Sequence, residues 1–433
     1  MRQEKWYYAY GLANVAAGGS SILLPLYAIH LGADAGEVGL LAAAASLISV
    51  PASIGWGYLS DRWKARKYFV VLGFLGMTVS FFLMAFVDSL YWLVLINGFF
   101  SLWWIASASL ATVMIVETEN RSNWEKRIAF FNYIVGFGWL AGLIGGFGWT
   151  GFFNLYLSQE LSFQYLFLLF SFVSLVAFIT SLFWIPEKVK FKKRTLKNAL
   201  LIRGSLVTER FRFLPSRIYF TLSPSKIITT LRRTSKRLNY FLVSVLCTFM
   251  GFSIFFVPLP VWLKESVGFS INEIFLLFIA NSFASAAFNN KAGELINTLG
   301  VKRSVATSLF ARIFLFPIVL IPLLLKNPVL IIGGIAVVLF LVGITWTTIN
   351  IGNSLILADI TSSGLKGQIF GIYNGIIGVS GILGALLGGY IAKLLGYLSA
   401  FLCASLLVLI GTGFFHLYSK LEAGNKPENS TFK

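Results

Sequence analysis

Few side chains in this sequence could carry out covalent or metal chemistry. Both cysteines lie within apolar segments, and the complete set of His and Cys is His30, His416, Cys247 and Cys403. Zinc and redox sites need such residues in closely spaced groups, and a membrane-embedded enzyme needs a nucleophile and a base, a metal cluster or paired acids within its helices. The sequence therefore predicts no metal site, no cofactor, no disulfide framework and no enzyme activity.

The remaining chemistry is ion pairing and hydrogen bonding, and it is concentrated where apolar segments end. The stretch "GWGYLSDRWKARK" places Asp61 and Arg62 directly after an uncharged run. A carboxylate there can accept backbone N–H bonds at the start of a neighbouring helix and can pair with an arginine. Gly57, one turn earlier, is small enough to let another helix approach closely. The stretch therefore predicts a polar contact at a membrane boundary.

The elements that position these residues are apolar helices. The chain is 57% hydrophobic, 16% aromatic and only 12% charged, with a mean hydropathy of +0.80. Twelve apolar runs are each long enough to cross the bilayer core, and they lack the alternation of barrel strands. We predict an all-α membrane protein with twelve transmembrane helices. The first run imitates a signal peptide but continues without a cleavage pattern, so we interpret it as an uncleaved span.

The positions of Lys and Arg predict the orientation. The first, third and fifth connections contain none, whereas the second and fourth contain Arg62, Lys64, Arg66, Lys67, Arg121, Lys126 and Arg127. Cationic residues favour the cytoplasmic side, so both termini are predicted to be cytoplasmic, in a multi-pass protein of the cell membrane. The predicted organisation is an N-terminal six-helix bundle (1–186), a basic cytoplasmic loop (187–237), a C-terminal six-helix bundle (238–420) and a cytoplasmic tail (421–433).

The basic loop carries most of the net charge of +18, with fifteen Lys or Arg against two Glu. Segments such as "KIITTLRRTSKR" interleave apolar and basic residues, as a strip lying on anionic lipid headgroups would. Contact with the membrane surface is the preferred interpretation. A solvated linker, or a recruitment site for protein or nucleic acid, are the alternatives, and nucleic acid is not expected as a partner.

The two halves of the chain repeat one another. "GELINTLGVKR" in the second half matches the Asp61 stretch at a constant offset of 236, with Asn297 in place of Asp61. At an offset of 242, Glu117 matches Asp359, Asn132 matches Asn374 and Gly142 matches Gly384. Two similar halves of six spans each are one of the designs that transporters use. The repeat predicts two pseudo-symmetric six-helix bundles.

These residues carry a resemblance to the major facilitator superfamily over nearly the whole chain. The signature of the family between its second and third spans is Gly-x-Leu-x-Asp-Arg-x-Gly-Arg-Arg/Lys. It is present here at Gly57, Leu59, Asp61, Arg62 and Arg66, with Lys64 and Ala65 as departures. "GALLGG" at 384–389 is similar to the Gly-Pro-x-x-Gly-Gly element of the family, with Ala385 for Pro. The resemblance implies secondary active transport of a small organic solute by alternating access.

In the family the Asp-Arg element latches the two halves together on the cytoplasmic side. The resemblance carries that role to Gly57, Asp61 and Arg62, and Arg66 and Asn297 occupy further positions of the two signature copies. Glu117 and Arg127, with Asp359 and Lys366, could complete a ring of breakable charge pairs. The alternative is that these charges only anchor the helices at the membrane surface and set their orientation.

The resemblance also implies that spans one, four, seven and ten line a central cavity. Helical spacing selects polar and indole candidates on those and neighbouring spans; the candidate substrate-binding residues are Asn14, Asn97, Trp104, Asn132, Arg312, Trp346, Asn350 and Asn374. Most are neutral, which favours an uncharged or weakly charged solute with polar and apolar parts. The alternative is hydrogen bonding between helices for each Asn, and snorkelling or pairing within the bundle for Arg312.

The direction of transport and the coupling ion are left open by the sequence. No Asp or Glu lies near the middle of any span, which disfavours proton antiport. Export is the first interpretation, and uniport or symport of sugar-like or other neutral solutes is the second. A membrane-embedded enzyme, a channel and a non-transporting receptor are more distant alternatives. A monomer is expected.

Overall fold

The computed structural model describes residues 5–63, 66–118, 124–185, 235–360 and 366–423, and within these ranges the regular structure is entirely helical. The longer helices are α1 (Lys5–His30), α2 (Ala35–Trp63), α3 (Arg66–Met84), α4 (Leu90–Thr118), α5 (Trp124–Phe153), α6 (Gln159–Trp184), α7 (Lys236–Phe256), α8 (Ile271–Ala287), α9 (Asn289–Leu299), α10 (Val301–Ile318), α11 (Pro328–Ile360), α12 (Lys366–Leu395) and α13 (Tyr397–Ala423). A short helical turn and a π-helical turn, Leu259–Val261 and Trp262–Ser266, extend α7.

Eleven of these helical segments are long and apolar enough to cross a membrane, as judged over the described residues. A twelfth is obtained if α8 and the following Lys291–Leu299, which are bent by 56° relative to each other, form one broken span. The prediction of an all-helical protein with about twelve spans is thus confirmed. The two six-helix bundles, the domain limits and the cytoplasmic termini stay predictions, and residues 186–234 and 424–433 lie outside the described part of the chain.

Local sequence signals explain where several helices begin and end. Ser270 and Glu273 form a reciprocal capping box at the start of α8, which satisfies backbone N–H groups that have no partner within the helix. Asp34 and Glu37 do the same before α2, each accepting from the backbone N–H of the other at 3.0 Å. Single glycines with positive φ, Gly300 and Gly396, join α9 to α10 and α12 to α13.

The chain forms two compact units that are described separately. The first contains the described parts of 1–21, 47–142 and 156–230, in which α3 packs against α4 and α6. The second contains the described parts of 22–46, 143–155 and 231–433, in which α7 packs against α12 and α13, α8 against α11, and α10 against α11 and α13. Each unit therefore has its own helix-packed core.

Glycines bring helices to backbone contact inside each unit. In the first unit, a Cβ on Gly142 of α5 would overlap the carbonyl oxygen of Val15 on α1 and lie 2.7 Å from the backbone nitrogen of Gly19. In the second unit, a Cβ on Gly384 of α12 would lie 2.6 Å from the carbonyl oxygen of Met250 on α7. Such contact is typical of helix packing in membranes. The matched glycines of the repeat thus serve the same packing purpose in both units.

Candidate functional site

One face of α11 in the second unit presents exposed polar and aromatic side chains. Trp346, Asn350 and Ser354 follow one another at intervals of one helical turn, and all three are exposed. Their neighbours on the helix, including Asn353 and Ile349, are buried. Residues four apart share one face of a helix, so these three form a continuous strip, which we call the α11 strip. Trp346 and Asn350 therefore share an accessible face.

Behind this strip lies the most unusual group in the described part of the chain, a fully buried arginine. Arg312 of α10 has no exposed surface. Its Nε donates to Oγ1 of Thr345 at 2.9 Å, and its Nη2 donates to the carbonyl oxygen of Val342 at 3.0 Å. Its Nη1 is buried and has no hydrogen-bond partner among the described residues. The guanidinium is therefore held by neutral acceptors and is only partly satisfied.

Aromatic rings enclose the same guanidinium. Its Cζ lies 4.1 Å from the ring centre of Phe252 on α7, 5.6 Å from that of Trp346 and 5.9 Å from that of Phe316. Cation–π attraction stabilises a charge in such a setting but does not replace a counter-ion. Phe252 and Phe316 are buried, whereas Trp346 is 37% exposed. Trp346 therefore links the buried charge to the accessible α11 strip.

The candidates in the first unit are placed differently. Asn14 is buried, and its Nδ2 donates to the carbonyl oxygen of Tyr10 in the same helix at 2.8 Å. The Cβ of Asn14 lies against Gly138 of α5, where the two helices meet. Asn97 is buried as well, and the half-buried Trp104 stacks on Phe100 of its own helix. In this structure Asn14 therefore lies at a helix contact, but its hydrogen bond stays within α1, whereas the structural alternative for this residue is a hydrogen bond between helices.

The two candidate asparagines at matched positions of the repeat, Asn132 and Asn374, lie on accessible faces. Asn132 of α5 is exposed, and so is Asn374 of α12. Each belongs to a different compact unit. Both side chains are therefore accessible within their own units.

Much of the predicted cytoplasmic latch falls on side chains that the structure does not describe, namely those of Asp61, Arg62, Glu117 and Lys366. Among the others, Arg66 donates to Oγ of Ser60 at 3.2 Å, Arg127 is half-buried and Asn297 is exposed. A Cβ on Gly57 would meet no described atom within 4 Å. Among the described residues no helix approaches Gly57 closely, and its role in the latch stays a prediction.

Asp359 has a partner that the sequence did not indicate. Its Oδ2 lies 3.8 Å from Nη2 of Arg237 at the start of α7, and Arg237 also lies over the ring of Tyr418. In the sequence Arg237 lies at the end of the basic loop, where its surroundings resemble those of the other cations. Asp359 is 74% exposed, so the pair is an exposed one of small energetic value.

A second ion pair that sequence reasoning missed joins α2 to α12 within the second unit. Nζ of Lys393 lies 2.7 Å from Oδ2 of Asp34. Next to it, a Cβ on Gly39 would lie 2.6 Å from the carbonyl oxygen of Ala385 and 3.0 Å from Cα of Gly389. The charge pattern predicts that this end of the helices lies outside the cell. We call this contact the Asp34–Lys393 clasp.

The clasp is expected to be insensitive to pH near neutrality. Partial burial opposes ionisation, but the hydrogen bond from Lys393, the N–H groups of Glu37 and Gly36, and the Lys393 charge lower the pKa of Asp34 below its usual range. Because the folded-state pKa is lowered, its stabilisation is present above the ordinary Asp pKa of about 3.9 and is lost as pH falls through the folded-state value.

We therefore expect Asp34→Asn to lower the free energy of unfolding by at most ~1 kcal/mol, since the pair is partly exposed. The melting temperatures of wild type and Asp34→Asn should differ by the same amount at pH 8 and pH 5, and the difference should shrink only below about pH 4. A difference that changed between pH 8 and pH 6 would contradict this account of the clasp.

The described residues contain no group of three His, Cys, Asp or Glu side chains that could hold a metal ion. The candidate site is therefore one of hydrogen bonds, aromatic faces and a buried cation. Such a set can recognise a solute but supplies no nucleophile or general base.

Comparison with known proteins agrees with this architecture along the chain. The sequence profile described as the Major Facilitator Superfamily matches residues 7–355 and 241–433. A relative named multidrug resistance protein MdtG, from Dickeya zeae (strain Ech586), is 23% identical over 397 residues, which covers 89% of this chain and 86% of the relative.

Solved structures show the same fold at low identity. The nucleoside transporter NupG is 14% identical, with a TM-score of 0.71 over 97% of this chain and 99% of that one. A POT family transporter in complex with 5-aminolevulinic acid is 13% identical, with a TM-score of 0.72 over 97% and 96% of the two chains. The human organic anion transporter MFSD10 is 17% identical, with a TM-score of 0.64 over 96% and 99%. The chain belongs to the Major Facilitator Superfamily, and it is a membrane transporter rather than an enzyme.

Proposed function

We propose that this protein moves a small organic solute across the cell membrane by alternating access, in the direction of export. The observation that carries the proposal is the α11 strip, in which Trp346 and Asn350 are accessible beside a buried cation, in a chain of transporter family and fold. Similarity to a protein named for multidrug resistance supports export. Uniport or symport of a neutral solute is the alternative that the test below separates.

The side chains of the strip suit a solute with apolar and polar parts. The indole of Trp346 packs against Phe249 and Phe252 at centroid distances of 5.9 and 6.3 Å, which makes a rigid aromatic wall. Asn350, one turn along, offers a donor and an acceptor. An aromatic wall with a few polar groups is the usual composition of small-molecule sites. We propose Asn97, Trp104, Asn132 and Asn374 as further contacts along the solute path.

The cytoplasmic latch is part of the same proposal. Asp61, with Arg62 and Arg66, would hold the inner ends of the helices together while the outer side is open, and Glu117, Arg127, Asn297 and Asp359 would contribute weaker contacts. The basic loop would lie on anionic headgroups of the inner leaflet. The transporter would work as a monomer.

Transport itself can be tested with purified protein in liposomes. A thermal-shift screen of sugars, amino acids, organic anions and lipophilic cations would first identify stabilising solutes. The best radiolabelled solute would then be measured for counterflow and for uptake driven by imposed ion gradients. We expect saturable counterflow. Uptake that needs no gradient would support uniport, and binding without any flux would leave a receptor.

Asp61→Asn is expected to slow counterflow about fivefold without unfolding the protein, because the loss of an ionic contact worth about 1 kcal/mol would weaken the outward-open state. Cysteines introduced on the cytoplasmic side should become more reactive in the same variant. Asp88→Asn, an exposed carboxylate on a connection of opposite predicted orientation, is the control and should behave as wild type. Unchanged flux and accessibility in Asp61→Asn would remove the latch.

A further inference from the structure

The buried Arg312 requires a counter-charge that the described chain does not supply. A guanidinium has five N–H donors and keeps its charge under all physiological conditions. Here two neutral oxygens accept from it, and its Nη1 has no described partner. Burying a charge without an ionic partner is strongly unfavourable. A buried polar group left partly unsatisfied calls for an explanation, and a ligand site is one of the few physical explanations.

The acidic side chains that the structure describes in the second unit all have other partners or exposed positions. Asp34 pairs with Lys393, and Asp359 pairs with Arg237. Glu265 accepts from Oη of Tyr397 at 3.2 Å, and Glu273 caps α8. Two further acids have described side chains: Glu37 caps α2, and Glu294 is exposed on α9. No described acid forms an ion pair with Arg312.

We propose that the counter-ion of Arg312 is a carboxylate of the transported solute, so that the substrates of this protein are organic monoanions with an apolar body. The inference rests on the proposed transport function and names the substrate class for the same site. It replaces the expectation of a mainly neutral solute, which followed from the number of asparagines and indoles and gave the single arginine little weight.

The geometry favours a planar anion. The Phe252 ring centre lies 4.1 Å from Cζ, and Nε and Nη2 already donate to protein oxygens. The free N–H groups at Nη1 lie in the guanidinium plane, where a carboxylate oxygen accepts best. An aromatic or aliphatic body would then rest against the rings of Phe249, Phe252 and Trp346.

Trp346 controls access to this anion site. Of the described residues that contact the guanidinium, Trp346 is exposed. The others are buried, namely Phe252, Phe316, Thr345 and Val342. Movement of the indole would open a path from the α11 strip to the guanidinium, and the indole would close over the bound carboxylate afterwards. Asn350, on the strip, would reach polar groups elsewhere on the solute.

The test compares carboxylates with their neutral amides on the full-length protein in detergent. The probes are benzoate with benzamide, and hexanoate with hexanamide, at equal concentration and ionic strength. At concentrations well above Kd we expect a carboxylate to raise the melting temperature by about 2–4 °C and its amide to raise it by much less. Arg312→Gln should abolish the difference. Arg303→Gln, an exposed position on the same helix, should keep it.

The stability of the variant without ligand gives an independent readout. Because Arg312→Gln removes an uncompensated buried charge, its ligand-free melting temperature should equal or exceed that of wild type. A structural arginine would give the opposite result. Loss of folded protein in Arg312→Gln, or equal responses to acid and amide in wild type for both probe pairs, would overturn the proposal. A shift produced in full by chloride alone would overturn the assignment to the solute.

Labelling of the wild-type protein removes the dependence on any variant. Phenylglyoxal should modify Arg312 slowly, as mass spectrometry of the α10 peptide would detect, and benzoate should slow the modification at least fivefold while benzamide should not. Absence of modification after complete reaction of Arg303 would show that the site never opens. Counterflow that occurs for amides and acids alike would reject the anion site while leaving transport intact; absence of flux for all solutes would reject the function itself.

Discussion

Gly142→Val is expected to abolish folded, monodisperse protein. The added Cβ would overlap the carbonyl oxygen of Val15 and crowd the backbone nitrogen of Gly19. Backbone atoms of a packed helix cannot move aside as a flexible side chain can, so α1 and α5 would have to separate. Overpacking ordinarily lowers the free energy of unfolding by about 1–3 kcal/mol. A clash with backbone atoms is expected to lower it by more than about 4 kcal/mol. That cost is comparable with the whole stability of many proteins.

Gly145 provides the matched control, because it lies one turn further along α5 and a Cβ there would meet no described atom within 4 Å. Gly145→Val should elute as a single species in size-exclusion chromatography and should melt within about 2 °C of wild type. Gly384→Val should resemble Gly142→Val, since Met250 and Ser253 of α7 leave no room for it. Normal elution and melting of Gly142→Val would show that α1 and α5 are not in backbone contact.

Cross-linking the Asp34–Lys393 clasp is expected to stop transport. In a variant without Cys247 and Cys403, cysteines at positions 34 and 393 would be joined by a short bifunctional thiosulfonate. A spacer that a reductant cleaves is suitable because it does not require the strict geometry of a direct disulfide between the two positions. If α2 and α12 must separate at this end in each cycle, the bridge should reduce counterflow more than tenfold, and reductant should restore it.

The controls for this experiment are the two single-cysteine variants, treated with the same reagent. They should retain flux near that of the untreated protein, because the clasp is an exposed pair of small energetic value. The cross-linked fraction would be measured by the mobility of a protein cut between the two positions. High cross-linking with unchanged counterflow would show that this contact stays closed throughout transport, and alternating access at this end would be rejected.

The sequence was sufficient for the helices because their physical cause is local. Apolar length and helical period predict spans, and the structure contains eleven or twelve of them in the described residues. The matched glycines were also readable, since Gly142 and Gly384 recur at a fixed offset and make the same kind of contact. These features depend on composition and spacing, which a single chain displays directly.

Contacts between distant parts of the chain were not predictable in the same way. Asp34 has the features of a helix cap, and it is one, so nothing nearby indicated Lys393. The sequence offers Arg312 either solute binding or snorkelling and pairing within the bundle, but its partners are Thr345 and a backbone carbonyl, which have no distinctive sequence pattern. Asn14 illustrates the opposite case, because its helical face was predicted and its hydrogen bond turned out to be internal to α1.

A single residue, Gly396, connects α12 to α13, so the two helices cannot move apart independently. Lys393 lies three residues before this junction, and Tyr397, directly after it, donates a hydrogen bond to Glu265 beyond the end of α7. A displacement of the Lys393 end of α12 would therefore pull on the first turn of α13 and load the Tyr397–Glu265 bond. Release of the Asp34–Lys393 contact would in this way displace α12, α13 and the extension of α7 together, because no flexible connector lies between α12 and α13.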